Sequence, residues 1–122
     1  MTNCIFCKIV NKEIPATVVY EDENYMAFND INPKMKTHIL IIPKKHIERF
    51  DRLWGQMSVS DEVWWNLTAE EKENLEIVKG LFEVAYKIIK EKQLDGCRLQ
   101  INCGENHGQE VFHIHLHLMS QS

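Results

Sequence analysis

Three of the six histidines in this 122-residue chain stand at alternate positions in one short run, Val111-Phe112-His113-Ile114-His115-Leu116-His117-Leu118-Met119. Side chains alternate between the two faces of a β-strand. The run therefore predicts a strand over Val111–Met119, with His113, His115 and His117 on one face. Phe112, Ile114, Leu116 and Leu118 then point the other way, toward a core. Each imidazole brings a donor and an acceptor that need partners, so three in a row make poor core filling. Two chemistries suit such a row. A large part of imidazole is uncharged and nucleophilic near neutral pH, which suits covalent catalysis. Three convergent imidazoles also suit a zinc ion.

The cysteines are a second source of chemistry. Cys4 and Cys7 have CxxC spacing, which fits buried thiols, a redox pair or half of a metal site. A thioredoxin-like pair follows a strand, and no strand is predicted before Cys4. Cys97 and Cys103 fall in one predicted strand, about 20 Å apart, too far to bridge. They read as small apolar fillers. His107 reads as a solvated turn residue, and Pro43-Lys44-Lys45-His46 as a solvated basic loop.

Positioning these residues requires a frame, and the length predicts a single domain over residues 1–122. Hydrophobic residues make up 44% and charged residues 26%, an ordinary globular balance. No segment is apolar for about 18 residues, so no membrane span is expected. MTNCIFCKIV has no secretory pattern, which makes the cytoplasm the default location. A net charge of −4 argues against general nucleic-acid binding.

A short helix is predicted over about residues 4–11, followed by strands at Ala16–Glu21, Tyr25–Asn29 and Thr37–Ile42. Leu53–Asn66, with Trp54, Trp64 and Trp65, has no clean period. Thr68–Leu94 predicts a long helix. It opens with the capping box of Thr68 and Glu71, carries an apolar stripe through Leu75, Val78, Phe82, Ala85 and Ile89, and stops at Gly96. Cys97–Cys103 alternates as a strand, with Arg98, Gln100 and Asn102 on its polar face. The fold class is α+β: five antiparallel strands with one long and one short helix.

His113-Ile114-His115-Leu116-His117-Leu118-Met119 resembles the signature of the histidine-triad (HIT) family, and the likeness extends over most of the chain. Cys4-Ile5-Phe6-Cys7-Lys8-Ile9-Val10 is similar to the family's N-terminal segment. Phe28-Asn29-Asp30-Ile31-Asn32-Pro33 resembles its ribose-binding loop, and Thr37–His46 its central strand and following turn. Gly108-Gln109-Glu110-Val111-Phe112 resembles its phosphate loop.

The resemblance implies a catalytic set of His115 as nucleophile on an α-phosphate, with His113, His117 and His38 around it. It implies phosphate contacts from Asn102 and from the backbone around Gly108, Gln109, Glu110 and Val111. Ribose hydroxyls would be held by Asp30, and a base by Ile5, Phe6, Ile9, Phe28, Ile31 and Leu40. In some bacterial members zinc is bound by residues matching Cys4, Cys7, His46 and His113, a structural ion, with no cofactor needed for catalysis. The implied function is hydrolysis of nucleoside monophosphate conjugates, purine phosphoramidates or adenylated amines, through a nucleotidyl-histidine. The alternatives are a dinucleoside polyphosphate hydrolase and a zinc-stabilised nucleotide-binding adaptor with little turnover. The partner molecule is a purine nucleotide, and the expected assembly is a homodimer with a continuous sheet, joined through Thr68–Cys103. Three features depart from Hint-type members: Glu110 stands where many carry Ser or Thr, the chain ends soon after the triad, and Leu53–Asn66 resembles an insertion.

Overall fold

The apolar run Ile39–Ile42 is buried on both of its faces, and it forms the middle of the sheet. The computed structural model describes residues 3–54 and 67–122. Trp64 and Trp65 lie outside the described residues. Within them the order is α1 (Ile5–Val10), β1 (Val18–Glu21), β2 (Tyr25–Asn29), β3 (Thr37–Pro43), α2 (Ala69–Lys92), β4 (Arg98–Gln100) and β5 (Leu116–Ser120). A 3-10 turn at Glu105–His107 lies between β4 and β5. The strands pair antiparallel in the order β1-β2-β3-β5-β4. This is the expected α+β architecture. No described helix is long and apolar enough to cross a membrane.

Alternation along β3 sorts two cores. Ile39 and Ile41 join Ala27, Leu116 and Leu118 under α2, which contributes Val78, Leu81, Val84, Ala85 and Ile88. Leu40 and Ile42 face the opposite way and pack with Met26, Phe28 and the α1 residues Phe6 and Ile9. The long helix thus closes one face, and the short helix leaves part of the other face for chemistry. Polar side chains fix the ends. Thr68 Oγ1 accepts from Glu71 N–H at 3.1 Å, and Glu71 Oε1 accepts from Thr68 N–H at 2.8 Å, the capping box read from sequence. Asp22 Oδ1 accepts the N–H groups of Asn24 and Tyr25, which turns β1 into β2.

Several expectations are corrected. The final strand starts at Leu116, not Val111. Register opposes Ile41 to Leu116, so Pro43, which has no N–H, would face Ile114. Ile114 N–H instead donates to Ile47 C=O at 2.6 Å. Phe112 is consequently exposed rather than in the core. The strand predicted over Cys97–Cys103 pairs only at Arg98–Gln100, and Cys97 through Gln100 are exposed, so Cys97 is not a buried filler, whereas Cys103 is half-buried. Helix α2 ends at Lys92 with Gln93 in the left-handed conformation, before Gly96 is reached. Phe82, placed on the core stripe, is 45% exposed.

Gly80 lies buried inside α2 under the ring of Tyr25, whose hydroxyl donates to Ile77 C=O at 2.6 Å. A Cβ at Gly80 would land on that hydroxyl and ring. Helix propensity alone predicts that Gly80→Ala stabilises by about 1 kcal/mol. We expect the opposite, a loss of about 1–3 kcal/mol from overpacking, read as a lower thermal midpoint. A raised midpoint would contradict the packing described.

Candidate functional site

Sheet register brings the histidines of two strands together. His38 is opposite Met119 and Leu40 is opposite His117, so His38 and His117 are diagonal neighbours on the face that carries α1. Their rings meet at 3.0 Å, Nε2 of His38 to Nδ1 of His117. Lys34 N–H donates to His38 Nδ1 at 3.0 Å. That nitrogen is therefore an acceptor, and the proton of neutral His38 sits on Nε2. His38 donates to His117 Nδ1, which leaves His117 with its own N–H on Nε2. Asp30 Oδ2 lies 3.4 Å from His38 Nε2, and Asp30 Oδ1 is held by Asn32 N–H at 2.8 Å. Burial keeps the His38 imidazole below its usual pKa and pushes that of His117 down to about 4. Both rings are neutral at physiological pH.

His115 is fixed by its own backbone neighbourhood. Nδ1 lies 2.8 Å from the carbonyl oxygen of His113. A carbonyl only accepts, so Nδ1 carries the proton and Nε2 holds a free lone pair. Burial holds this ring too below the usual histidine pKa, in the form that can attack an electrophile. The His115 and His117 rings are 4.9 Å apart. Phe6 of α1 stands edge-on to His115 at 5.1 Å and to His113 at 6.0 Å.

His113 turns away from this pair. Its ring is fully buried, and Nε2 donates to Pro43 C=O at 2.8 Å. The lone pair of Nδ1 therefore faces Cys4 Sγ at 3.4 Å and Cys7 Sγ at 3.5 Å. His46 Nδ1 approaches Cys7 Sγ at 3.3 Å. The four donor atoms lie within 4.8 Å of one another. Two sulfurs and two imidazole nitrogens suit a tetrahedral zinc ion, and the bond to Pro43 supplies the outer partner that sets a ligating tautomer. Asp30, His38 and His117 also converge within 4.8 Å. There the proton of His38 Nε2 occupies the space between the ligand atoms, so this group works as a hydrogen-bond chain.

The remaining residues named from the sequence divide into held and open. Gln109 is buried: Oε1 accepts from Gly104 N–H at 2.8 Å, and Nε2 donates to the carbonyls of Glu48 and Val111. Its amide braces the loop. Asn102 Nδ2 donates to His107 C=O at 2.7 Å and its Oδ1 accepts from Gln100. Gly108, at a φ of 88°, packs against Asn102. Glu110 is exposed, and its charge raises the pKa of His115 against the larger effect of burial. Phe6, Ile9, Phe28 and Leu40 bury one another, whereas Ile5 is 45% and Ile31 90% exposed. Lys34 N–H, Pro43 C=O and Ile47 C=O were not anticipated. Each acts through its backbone, which has no side-chain signature in a sequence.

A family model described as the scavenger mRNA decapping enzyme C-terminal binding region matches residues 3–122. A 14 kDa zinc-binding protein of Zea mays is 47% identical over 94% of this chain and 79% of its own length. Among solved structures, a histidine triad protein from Clostridium difficile superposes with a TM-score of 0.81 at 40% identity, covering 100% of this chain and 93% of that one. A HIT family hydrolase from Legionella pneumophila has a TM-score of 0.76 at 42% identity, covering 98% and 94%. A zinc-bound histidine triad family protein from Mycobacterium smegmatis has a TM-score of 0.72 at 32% identity, covering 98% and 76%. With the three histidines, their fourth partner on β3 and these similarities together, the chain belongs to the histidine-triad family and is similar to its hydrolases.

Proposed function

We propose that the protein hydrolyses nucleoside monophosphate conjugates, purine phosphoramidates or adenylated amines, through a covalent intermediate on His115. The observation that carries this reading is the 2.8 Å bond from His115 Nδ1 to His113 C=O, which leaves Nε2 as a neutral nucleophile. Nε2 attacks the α-phosphorus and forms an N–P bond. The bond from phosphorus to the leaving nitrogen breaks, and the amine takes a proton from solvent. Water then attacks phosphorus and gives up a proton to solvent, and the electron pair of the N–P bond returns to Nε2. The N–H of His117 Nε2 donates to a phosphoryl oxygen as charge develops there. Asp30, which already accepts from Asn32, offers its second oxygen to a ribose hydroxyl. Gln109 N–H donates to Gly104 C=O at 3.1 Å within the loop, so the backbone N–H groups of Glu110 and Val111 are the ones that would serve the phosphate, with Gln109 as their internal brace.

Cys4, Cys7, His46 and His113 would hold zinc as a closed structural site. Such an ion cross-links the segments that bear its ligands and has no open position for substrate. The zinc named for the maize and mycobacterial proteins supports this reading. A homodimer through α2 and β4 is supported by the exposure of Phe82, Tyr86 and Leu99, at 45%, 62% and 41%. A dinucleoside polyphosphate would present the same α-phosphate with a different leaving group, and it remains the competing substrate class.

Two outcomes follow. His115→Ala should lose turnover by at least a thousandfold on an adenosine phosphoramidate, while calorimetry shows AMP still binding. Full activity in the variant would end the covalent reading, and a polyphosphate kcat/KM more than about tenfold above that of the phosphoramidate would exchange the substrate classes. Metal analysis of the purified protein should find about one zinc per chain. Replacing Cys4 and Cys7 together by Ser should remove the ion and lower the thermal midpoint. Metal-free native protein of undiminished stability would leave the cysteines as packing residues.

A further inference from the structure

We propose that Cys4, Cys7 and His46 are positioning residues for catalysis: the four-donor cluster they form with His113 sets the tautomer and placement of His115. This rests on the reading of His115 as nucleophile. His113 has two roles. Its side chain contributes Nδ1 to the cluster, and its carbonyl receives the Nδ1 proton of His115 at 2.8 Å. Whatever fixes the His113 ring also fixes the carbonyl that locks the nucleophile.

Three anchors hold that unit. Pro43 C=O accepts from His113 Nε2 at 2.8 Å. Ile47 C=O accepts from Ile114 N–H at 2.6 Å, so the chain beside His46 is stitched to the chain beside His113. The cluster joins the same two segments through their side chains, His46 to Cys7 and Cys7 to His113. An ion held there would clasp His46 and His113 through their side chains, one residue from the backbone bond that joins Ile47 and Ile114.

The cysteines add a second route. Cys4 caps α1 and Cys7 lies in its first turn, so ligation ties this six-residue helix to His113. Phe6 rides between them with its ring edge-on to His115 at 5.1 Å. A loosened α1 withdraws the wall that confines the nucleophilic ring. Without the ion, His113 Nδ1 faces two thiols rather than a ligand bond, and its carbonyl gains freedom to leave His115 Nδ1. His115 then exchanges between its two neutral tautomers, and only one presents a lone pair at Nε2. Loss of the partners that orient metal ligands typically costs about 10–100-fold in metal affinity or activity, and a fall of that order is expected here.

The test uses the whole protein, loaded with zinc or stripped by a chelator, with histidines labelled in 15N. In the loaded form His115 should show only the Nδ1–H tautomer. In the stripped form, with core resonances showing an intact fold, it should show both, and kcat on an adenosine phosphoramidate should fall about 10–100-fold. Added zinc should restore both readouts in wild type. If stripping or Cys7→Ser unfolds the chain, His46→Ala decides, since His46 is the exposed member of the cluster and water can take its place. That variant should show a mixed His115 tautomer and an intermediate kcat. An unchanged Nδ1–H tautomer in a folded, metal-depleted protein would overturn the inference, even with a lower kcat, because the damage would then lie elsewhere. The resonance readout does not depend on turnover. An inactive loaded enzyme with a metal-sensitive tautomer would therefore fault the nucleophile reading and leave the coupling standing.

Discussion

Which nitrogen of His115 carries a proton depends on one hydrogen bond of 2.8 Å to the carbonyl two residues earlier. Reversed, with the proton on Nε2, the same ring in the same place would have no electron pair to offer an electrophile. The rest of the fold can be understood by how it protects that bond. His113 must leave its carbonyl outside the sheet ladder, and it does so because the ladder stops at the pair Ile41–Leu116. Pro43 supports the interruption twice, by having no N–H to continue the ladder and by accepting from His113 Nε2. Burial then keeps the ring neutral, since a charged imidazole would forfeit solvation that this pocket does not return.

A sheet with two unequal covers makes the arrangement affordable. The face under α2 carries most of the apolar contact and stands apart from the chemistry. Among the described residues, the opposite face has six residues of helix over part of it, so polar groups can gather there beside a small apolar cluster. His38 and His117 exploit diagonal register, an arrangement that adjacent antiparallel strands supply without special geometry. Their proton order is set from outside the sheet by the backbone of Lys34. In each case a candidate catalytic side chain is oriented by a backbone group.

Much of the architecture was legible because it rests on periodicity and caps. Thr68 and Glu71 mark the start of α2, and Tyr25–Asn29 is a strand with the bounds expected. The convergence of Cys4, Cys7, His46 and His113 came from resemblance, and the geometry now brings these residues together. Period two failed at Val111–His115, where the histidines keep alternating in sequence but the backbone has left the ladder. Strict alternation states which face a residue would take if paired; it cannot state whether a partner strand with a free N–H exists. Phe82 shows the same limit for a helix, since a 3.6-residue stripe does not say where the packed sheet ends. Asn102 was expected from resemblance to contact phosphate, and its side chain is engaged by His107 C=O and by Gln100 of β4. Amides serve either role, and only tertiary structure separates them.

The chemical identity of the intermediate tests the role of His115 directly. A reaction quenched within one turnover, digested and mapped by mass spectrometry, should carry a nucleoside monophosphate on the peptide containing His115. Phosphorus–nitrogen coupling in 15N-labelled protein should then assign the bond to Nε2. An adduct bonded through Nδ1, an adduct on another residue, or turnover that proceeds with no adduct at all would contradict the account.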